Sequence, residues 1–169
     1  PMNASFLQLT PESIERGLWW TVVTGHLLHV GAKHLLLDAL GLLIVGCVFE
    51  PMFGRRWLAI SLIAGITISL SVFSMYPELR EFRGLSAMDH AMFAAGAVVL
   101  AQRHDWRPAL VILGVLAVKC LTELLAGDSA AGQFLDEAAF GVPVPWMHAI
   151  GALSGGMAAV AMSLIPCPA

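Results

Sequence analysis

The chain has 169 residues, of which 58% are hydrophobic and only 12% charged, and its mean hydropathy is +0.79. A soluble domain carries about a quarter charged residues, so this composition excludes a disordered chain and argues against a soluble enzyme. The 9 Lys and Arg against 12 Asp and Glu leave no basic surface for nucleic acid. The composition predicts a membrane protein.

Five apolar segments approach the roughly 17–25 residues that a helix needs to cross a bilayer. Prolines, glycines and charged residues separate them, and in chain order they cover residues 32–49, 57–76, 84–101, 106–125 and 144–165. All five are expected to be helices, because lipid offers no partner to an unpaired backbone group. The sequence therefore predicts an all-α, polytopic membrane helix bundle.

The charges of the loops predict its orientation. Loops 49–56 and 102–108 each carry a net charge of +1, loop 76–83 is neutral, and loop 126–145 carries −3. Because positively charged loops tend to remain in the cytoplasm, the last two loops are expected on the outer side.

This orientation divides the chain into three parts. Residues 1–31 are an outer loop with an interfacial segment at Trp19 and Trp20, since indole side chains anchor at membrane interfaces. Residues 32–165 are the transmembrane core, and residues 166–169 are a short cytoplasmic tail.

Polar side chains within the spans are functional candidates, because a polar group in a membrane is costly. In the predicted orientation His34, Asp38, Ser86 and His148 lie near the outer ends of three different spans. A serine hydroxyl becomes a strong nucleophile when a base takes its proton, and histidine is the usual base. Their shared depth predicts a site that pairs Ser86 with His148.

Small residues on two spans predict how the serine and the histidine meet. The last span carries Gly151 and Gly155, and the third carries alanines at four-residue spacing from Ala87 to Ala95. Such faces let membrane helices approach closely. We expect these two helices to pack together at this seam.

Other polar residues have competing interpretations. Lys119 and Glu123, four residues apart on one helix, are expected to form a structural pair that neutralises itself. His90 lies one turn after Ser86 and is a rival base. His26 and His29 are expected at the interface, and no metal site is predicted there because the stretch lacks a Cys or Glu at ligand spacing.

Three motifs resemble those of rhomboid intramembrane serine proteases. Gly84-Leu85-Ser86-Ala87 resembles their Gly-x-Ser-Gly motif, and His34-x-x-x-Asp38 is similar to their His-x-x-x-Asn motif. His148, followed by Gly151, resembles the catalytic histidine and the glycine-rich face of their last core helix. Segments 19–26, 83–89, 119–127 and 144–148 further resemble the rhombosortase branch, so that the likeness covers nearly the whole chain.

The resemblance implies roles for individual residues. It makes Ser86 the nucleophile and His148 the general base of a Ser-His dyad that needs no cofactor. The Ser86 backbone N–H and His34 would stabilise the oxyanion, and Asp38 and Gly84 belong to the same oxyanion and substrate-binding group. Asp38 stands where most rhomboids have Asn, and an ionised Asp can only accept hydrogen bonds. Burial can keep the carboxyl protonated and able to donate; otherwise Asp38 only orients His34.

The resemblance also implies a setting and a substrate. Rhomboids have six core helices, so a first helix is expected upstream of Pro1. The likeness to rhombosortases implies a multi-pass enzyme of the bacterial inner membrane whose active site faces the periplasm. Besides membrane lipid, its partners would be exported proteins with a C-terminal sorting tag, made of a Gly-Gly motif, a transmembrane helix and a basic end.

Two other functions remain open at this point. Because Asp38 and Ala87 depart from the family pattern, a catalytically inactive rhomboid-like protein that binds client transmembrane helices is one alternative. The six histidines leave a haem- or metal-binding membrane module as another.

Overall fold

Helices occupy all five predicted span positions in the computed structural model, which describes residues 6–127 and 144–164. Within these ranges the protein is all-helical, as predicted. Its seven α-helices are α1 (Pro11–Glu15), α2 (Thr21–Thr24), α3 (Ala32–Phe53), α4 (Arg56–Met75), α5 (Ser86–Gln102), α6 (Trp106–Ala126) and α7 (Pro145–Ser163). The predicted tail at 166–169 and most of the acidic loop lie outside the described residues.

Two helix ends differ from the sequence prediction. Helix α3 continues past Pro51 to Phe53, one turn beyond the predicted end at residue 49. It ends at Gly54, whose φ of 56° leaves the helical region. Helix α5 begins at Ser86 instead of Gly84, because Gly84 has a φ of 107° and cannot be part of a helix.

Among the described helices, α3, α4 and α6 are long and apolar enough to cross a membrane by themselves. Helix α5 has only 17 residues, ten of which are buried. This helix is therefore surrounded mostly by protein instead of lipid, so its surface does not need to be apolar on all sides. The prediction of five spans is thus supported directly for three helices, while α5 and α7 are predicted spans with more polar and small residues.

Helix α5 lies at the centre of the bundle and contacts α3, α4, α6 and α7. Its closest neighbour is α7, because Gly151 faces the carbonyl oxygen of Ala87 and Gly155 faces that of Ala91, with no room for a Cβ at either glycine. The outer faces of the flanking helices carry exposed aliphatic side chains, including Leu36, Leu43, Leu58, Leu62, Leu110 and Val118. These surfaces match a lipid environment.

The segment before α3 is anchored to the bundle by polar contacts. The Phe82 N–H donates to the Leu9 carbonyl (3.0 Å). The buried His26 ring has its Nε2 3.1 Å from the Gly65 carbonyl and 3.0 Å from the Ser69 hydroxyl. Burial lowers the pKa of His26, which favours the neutral ring. His26, which the sequence predicts at the interface, is thus packed inside the protein, where α4 supplies its polar partners.

Candidate active site

Ser86 is the first residue of α5, the central helix. The preceding Gly84 adopts a φ of 107°, and a Cβ there would lie 2.8 Å from the His34 ring. Only glycine fits this conformation and this approach. The turn places Ser86 at a helix N-terminus, where backbone N–H groups lack intrahelical acceptors and the helix dipole is positive.

His148 lies in the first turn of α7, which begins with Pro145. The neighbouring Trp146 N–H donates to the Tyr76 hydroxyl (3.0 Å), which ties the start of α7 to the end of α4. The Ser86 Oγ and the His148 Nε2 are 2.9 Å apart. The structure thus brings together the serine and the histidine, which lie 62 residues apart in sequence, and the methyl group of Ala87 does not prevent the contact.

Sequence reasoning missed one member of this group. The Glu123 Oε2 lies 2.6 Å from the His148 Nδ1, while its Oε1 accepts a hydrogen bond from the Lys119 Nζ (2.7 Å). The predicted Lys119–Glu123 pair is therefore present, but Glu123 also binds a third residue, His148. A signal was available in the sequence, because Glu123 lies near the outer end of its span, at the depth predicted for Ser86 and His148.

His90 packs beside the pair without contacting the serine hydroxyl. Its ring is stacked on that of His148, with centroids 4.4 Å apart and planes inclined by 7°. Its Nδ1 lies 2.6 Å from the Ser86 backbone oxygen. In this arrangement the nitrogen within bonding distance of the Ser86 hydroxyl belongs to His148, which disfavours His90 as the base.

Asp38 gathers hydrogen-bond donors from two parts of the chain. Its Oδ2 accepts from the Leu85 N–H (2.7 Å) and lies 3.0 Å from the His29 Nε2 and 3.3 Å from the His34 Nε2. His29, which the sequence predicts at the interface, is therefore part of this cluster. The carboxylate links α3 to the turn that presents Ser86.

A cavity of about 480 Å³ lies beside these groups. Its polar wall includes the side chains of Ser86, His148, Asp38 and His34. Its apolar wall comes from α3, α5 and α6 and includes Leu37, Phe93, Val111, Ile112, Val115 and Leu116. The cavity thus brings the Ser86 hydroxyl and the His148 imidazole together with an apolar surface.

Comparison with known proteins agrees with this arrangement. The Rhomboid domain matches residues 16–165. The chain belongs to the rhomboid family. It is also 46% identical over 68 residues to the rhomboid protease GluP of Bacillus subtilis (strain 168), a match that covers 38% of this chain and 13% of that protein. No solved structure matches the chain significantly.

These matches identify the rhomboid family without distinguishing a branch within it. The chain is thus a homologue of a rhomboid protease. The match spans only a small part of the Bacillus protein.

A metal ion would compete with the hydrogen bonds of the rhomboid site. Among the described residues, His90, Glu123 and His148 each offer one ligand atom, and these atoms lie within 4.8 Å of one another. Yet His148 and Glu123 use their polar atoms to bind each other, Ser86 and Lys119. A ring nitrogen binds a metal ion in the plane of its ring, and the rings of His90 and His148 lie in parallel planes. The rings would therefore have to turn before both could bind one ion.

In this rhomboid, replacing Asp38 with Ala is expected to lower the rate at which Ser86 reacts with a fluorophosphonate. The change removes the acceptor for the Leu85 N–H and for two imidazoles. Without this acceptor the Leu85 N–H and the His34 ring lose their fixed positions beside Ser86. Because small displacements of positioned groups are costly to the rate, we expect it to fall by about 10- to 100-fold. Asp38→Asn keeps an acceptor oxygen and should give an intermediate rate.

The exposed Asp105, on the loop before α6, provides the matched control. Asp105→Ala should react at the wild-type rate. Equal rates for the wild type and Asp38→Ala would contradict the proposed link between Asp38 and the Ser86 turn.

Proposed function

We propose that the protein is an intramembrane serine endopeptidase in which Ser86 is the nucleophile and His148 the general base. The observation that carries this proposal is the 2.9 Å contact between the Ser86 Oγ and the His148 Nε2, made beside a cavity in the helix bundle of a rhomboid-family protein. A hydroxyl bonded to an imidazole is the arrangement that activates serine for acyl transfer.

In the proposed reaction the Ser86 oxygen attacks the carbonyl carbon of the scissile peptide while its proton moves to the His148 Nε2. The tetrahedral intermediate collapses when His148 gives that proton to the leaving amine, so an acyl ester remains on Ser86. A water molecule, deprotonated by His148, then attacks the ester and restores the hydroxyl. Each transfer uses the same nitrogen, which already lies within hydrogen-bonding distance of the Ser86 oxygen.

The negative oxygen of the intermediate needs fixed donors. The backbone N–H of Ser86 supports this role, because it lies at the positive N-terminus of α5. His34 is the second proposed donor, since its ring packs against Gly84 beside the nucleophile. Asp38 accepts hydrogen bonds at this position, so its proposed role is to hold the His34 ring and the Leu85 N–H in place.

For the substrate we propose a protein anchored by a C-terminal transmembrane sorting tag with a Gly-Gly motif. The likeness of segments 83–89 and 119–127 to rhombosortases supports this choice. Glycine lowers helix stability by about 0.5–1 kcal/mol relative to alanine, which helps a substrate helix unwind into the cavity. The likeness to rhombosortases supports a bacterial inner-membrane protein. The loop charges favour the periplasmic side for this site, where cleavage would release the tagged protein from its anchor.

Ser86→Ala tests the proposed function directly. With a tagged substrate co-expressed in membranes, we expect processing to fall by about 10⁴-fold or more, because the nucleophile is lost. Ser71→Ala is the matched control, since the Ser71 hydroxyl only donates to the Thr67 carbonyl within its own helix (2.7 Å). Undiminished processing by Ser86→Ala would remove Ser86 from the reaction.

Mass spectrometry of the processed substrate completes this experiment. The new C-terminus identifies the bond that is broken, and a cut next to the Gly-Gly motif is expected. It also shows whether the acyl group passes to water, as proposed, or to an amine. A cut far from the motif would refute the proposed tag specificity while leaving the protease assignment intact.

A further inference from the structure

Glu123 is the most deeply buried charged residue around the candidate site, with 1% of its surface exposed. A carboxylate removed from water is costly unless both oxygens have partners. Here the Oε2 meets the His148 Nδ1 at 2.6 Å and the Oε1 meets the Lys119 Nζ at 2.7 Å. The two oxygens therefore face different helices, one toward α7 and the other along α6.

We propose that Glu123 is a positioning residue that completes a Ser86–His148–Glu123 triad, in place of the dyad expected from the family resemblance. The proposal rests on the function proposed above. By accepting the Nδ1–H of His148, the carboxylate fixes the tautomer whose Nε2 lone pair faces the Ser86 hydroxyl. It also faces the positive charge that the ring acquires when the proton of Ser86 arrives. The carboxylate takes up no proton in the proposed reaction, in which protons move between Ser86, His148, the leaving amine and the water that hydrolyses the ester.

Lys119 has a supporting part in this arrangement. Its ammonium binds the Oε1 and, at 35% side-chain exposure, remains open to the cavity. This contact leaves the Oε2 directed at α7, so the ion pair holds the carboxylate in the orientation that His148 requires. A Lys–Glu pair that only neutralised itself would need no third partner. Glu123 has such a partner, because its Oε2 lies 2.6 Å from the His148 Nδ1.

A three-variant comparison separates the two roles. Glu123→Gln keeps the size of the side chain, Lys119→Met removes the cation, and the third variant combines both changes. If Glu123 positions His148, Glu123→Gln lowers kcat by about 10²- to 10⁴-fold with little change in KM, and the double variant is no more active. If the pair only neutralises itself, removing both charges restores wild-type activity, and that result would overturn the proposal.

The His148 tautomer provides a readout that a structural role would not change. In ¹⁵N-histidine-labelled protein in lipid, the signals absent from His148→Asn identify His148. We expect an Nδ1–H tautomer in the wild type and in Lys119→Met, and its loss or mixing in Glu123→Gln. An unchanged tautomer in folded Glu123→Gln protein would contradict the positioning role.

Two controls complete the design. Glu50→Gln makes the same chemical change at an exposed residue of α3 and should leave kcat and the tautomer unchanged. Ser86→Ala separates the two proposals. If it retains activity, the proposed function fails. If it is inactive while Glu123→Gln has wild-type kcat, only the triad fails.

Discussion

His148→Asn is expected to abolish the reaction of Ser86 with a fluorophosphonate and to lower peptide cleavage by about 10⁴-fold or more. The substitution removes the only nitrogen that lies within bonding distance of the Ser86 Oγ among the described residues. Without it, the hydroxyl keeps its proton at neutral pH and is a weak nucleophile. Labelling of purified protein in lipid, followed by identification of the labelled peptide, measures the effect.

His104 provides a matched control for the His148 substitution. It is exposed on the loop between α5 and α6 and has a φ of 66°, a conformation that Asn tolerates well. His104→Asn should therefore label at the wild-type rate. Normal labelling of His148→Asn would assign the base to another group, such as His90, whose ring is stacked on His148. A folded wild type that never labels would favour an inactive client-binding protein.

Gly155→Val is expected to disrupt the bundle itself. A side chain at Gly155 would run into the Ala91 backbone, which cannot move aside as a flexible side chain can. Overpacking costs about 1–3 kcal/mol, and we expect the upper end of this range because the neighbour is backbone. Because α7 carries His148, the thermal midpoint and the Ser86 labelling rate should fall together.

Gly114→Val is the matched control for this change. Gly114 lies on α6 with open space around its Cα, so the same substitution there should leave the melting temperature and the labelling rate close to wild type. A Gly155→Val protein with wild-type stability would show that α5 and α7 are not in close contact.

The helices and the Ser86–His148 pair could be predicted from the sequence, because helix length and residue depth both follow from the thickness of the membrane. Bilayer thickness sets the length of apolar segments, and the shared outer level of Ser86 and His148 follows once the spans are assigned. The small residues of the last span likewise point to a close helix contact, and Gly151 and Gly155 lie at that contact.

The missed features depend on contacts that no local pattern encodes. Glu123 has an evident partner in Lys119, four residues away on the same helix. The sequence therefore gives no reason to expect its second hydrogen bond, to His148 on another helix. His26 and Asp38 find their partners on α4 and in the turn before α5. That turn is set by the positive φ of Gly84, and an irregular turn leaves no periodic signal.

The seam between α5 and α7 has a consequence for how the protein tolerates change. Where Gly151 meets Ala87, the helices touch main chain to main chain, so the spacing of α5 and α7 does not depend on a side-chain rotamer at this contact. The lipid-facing residues take no part in that spacing. Substitutions on the outer surface can therefore adapt the protein to membranes of different thickness or fluidity without disturbing the chemistry. Gly151 and Gly155, in contrast, tolerate almost no substitution.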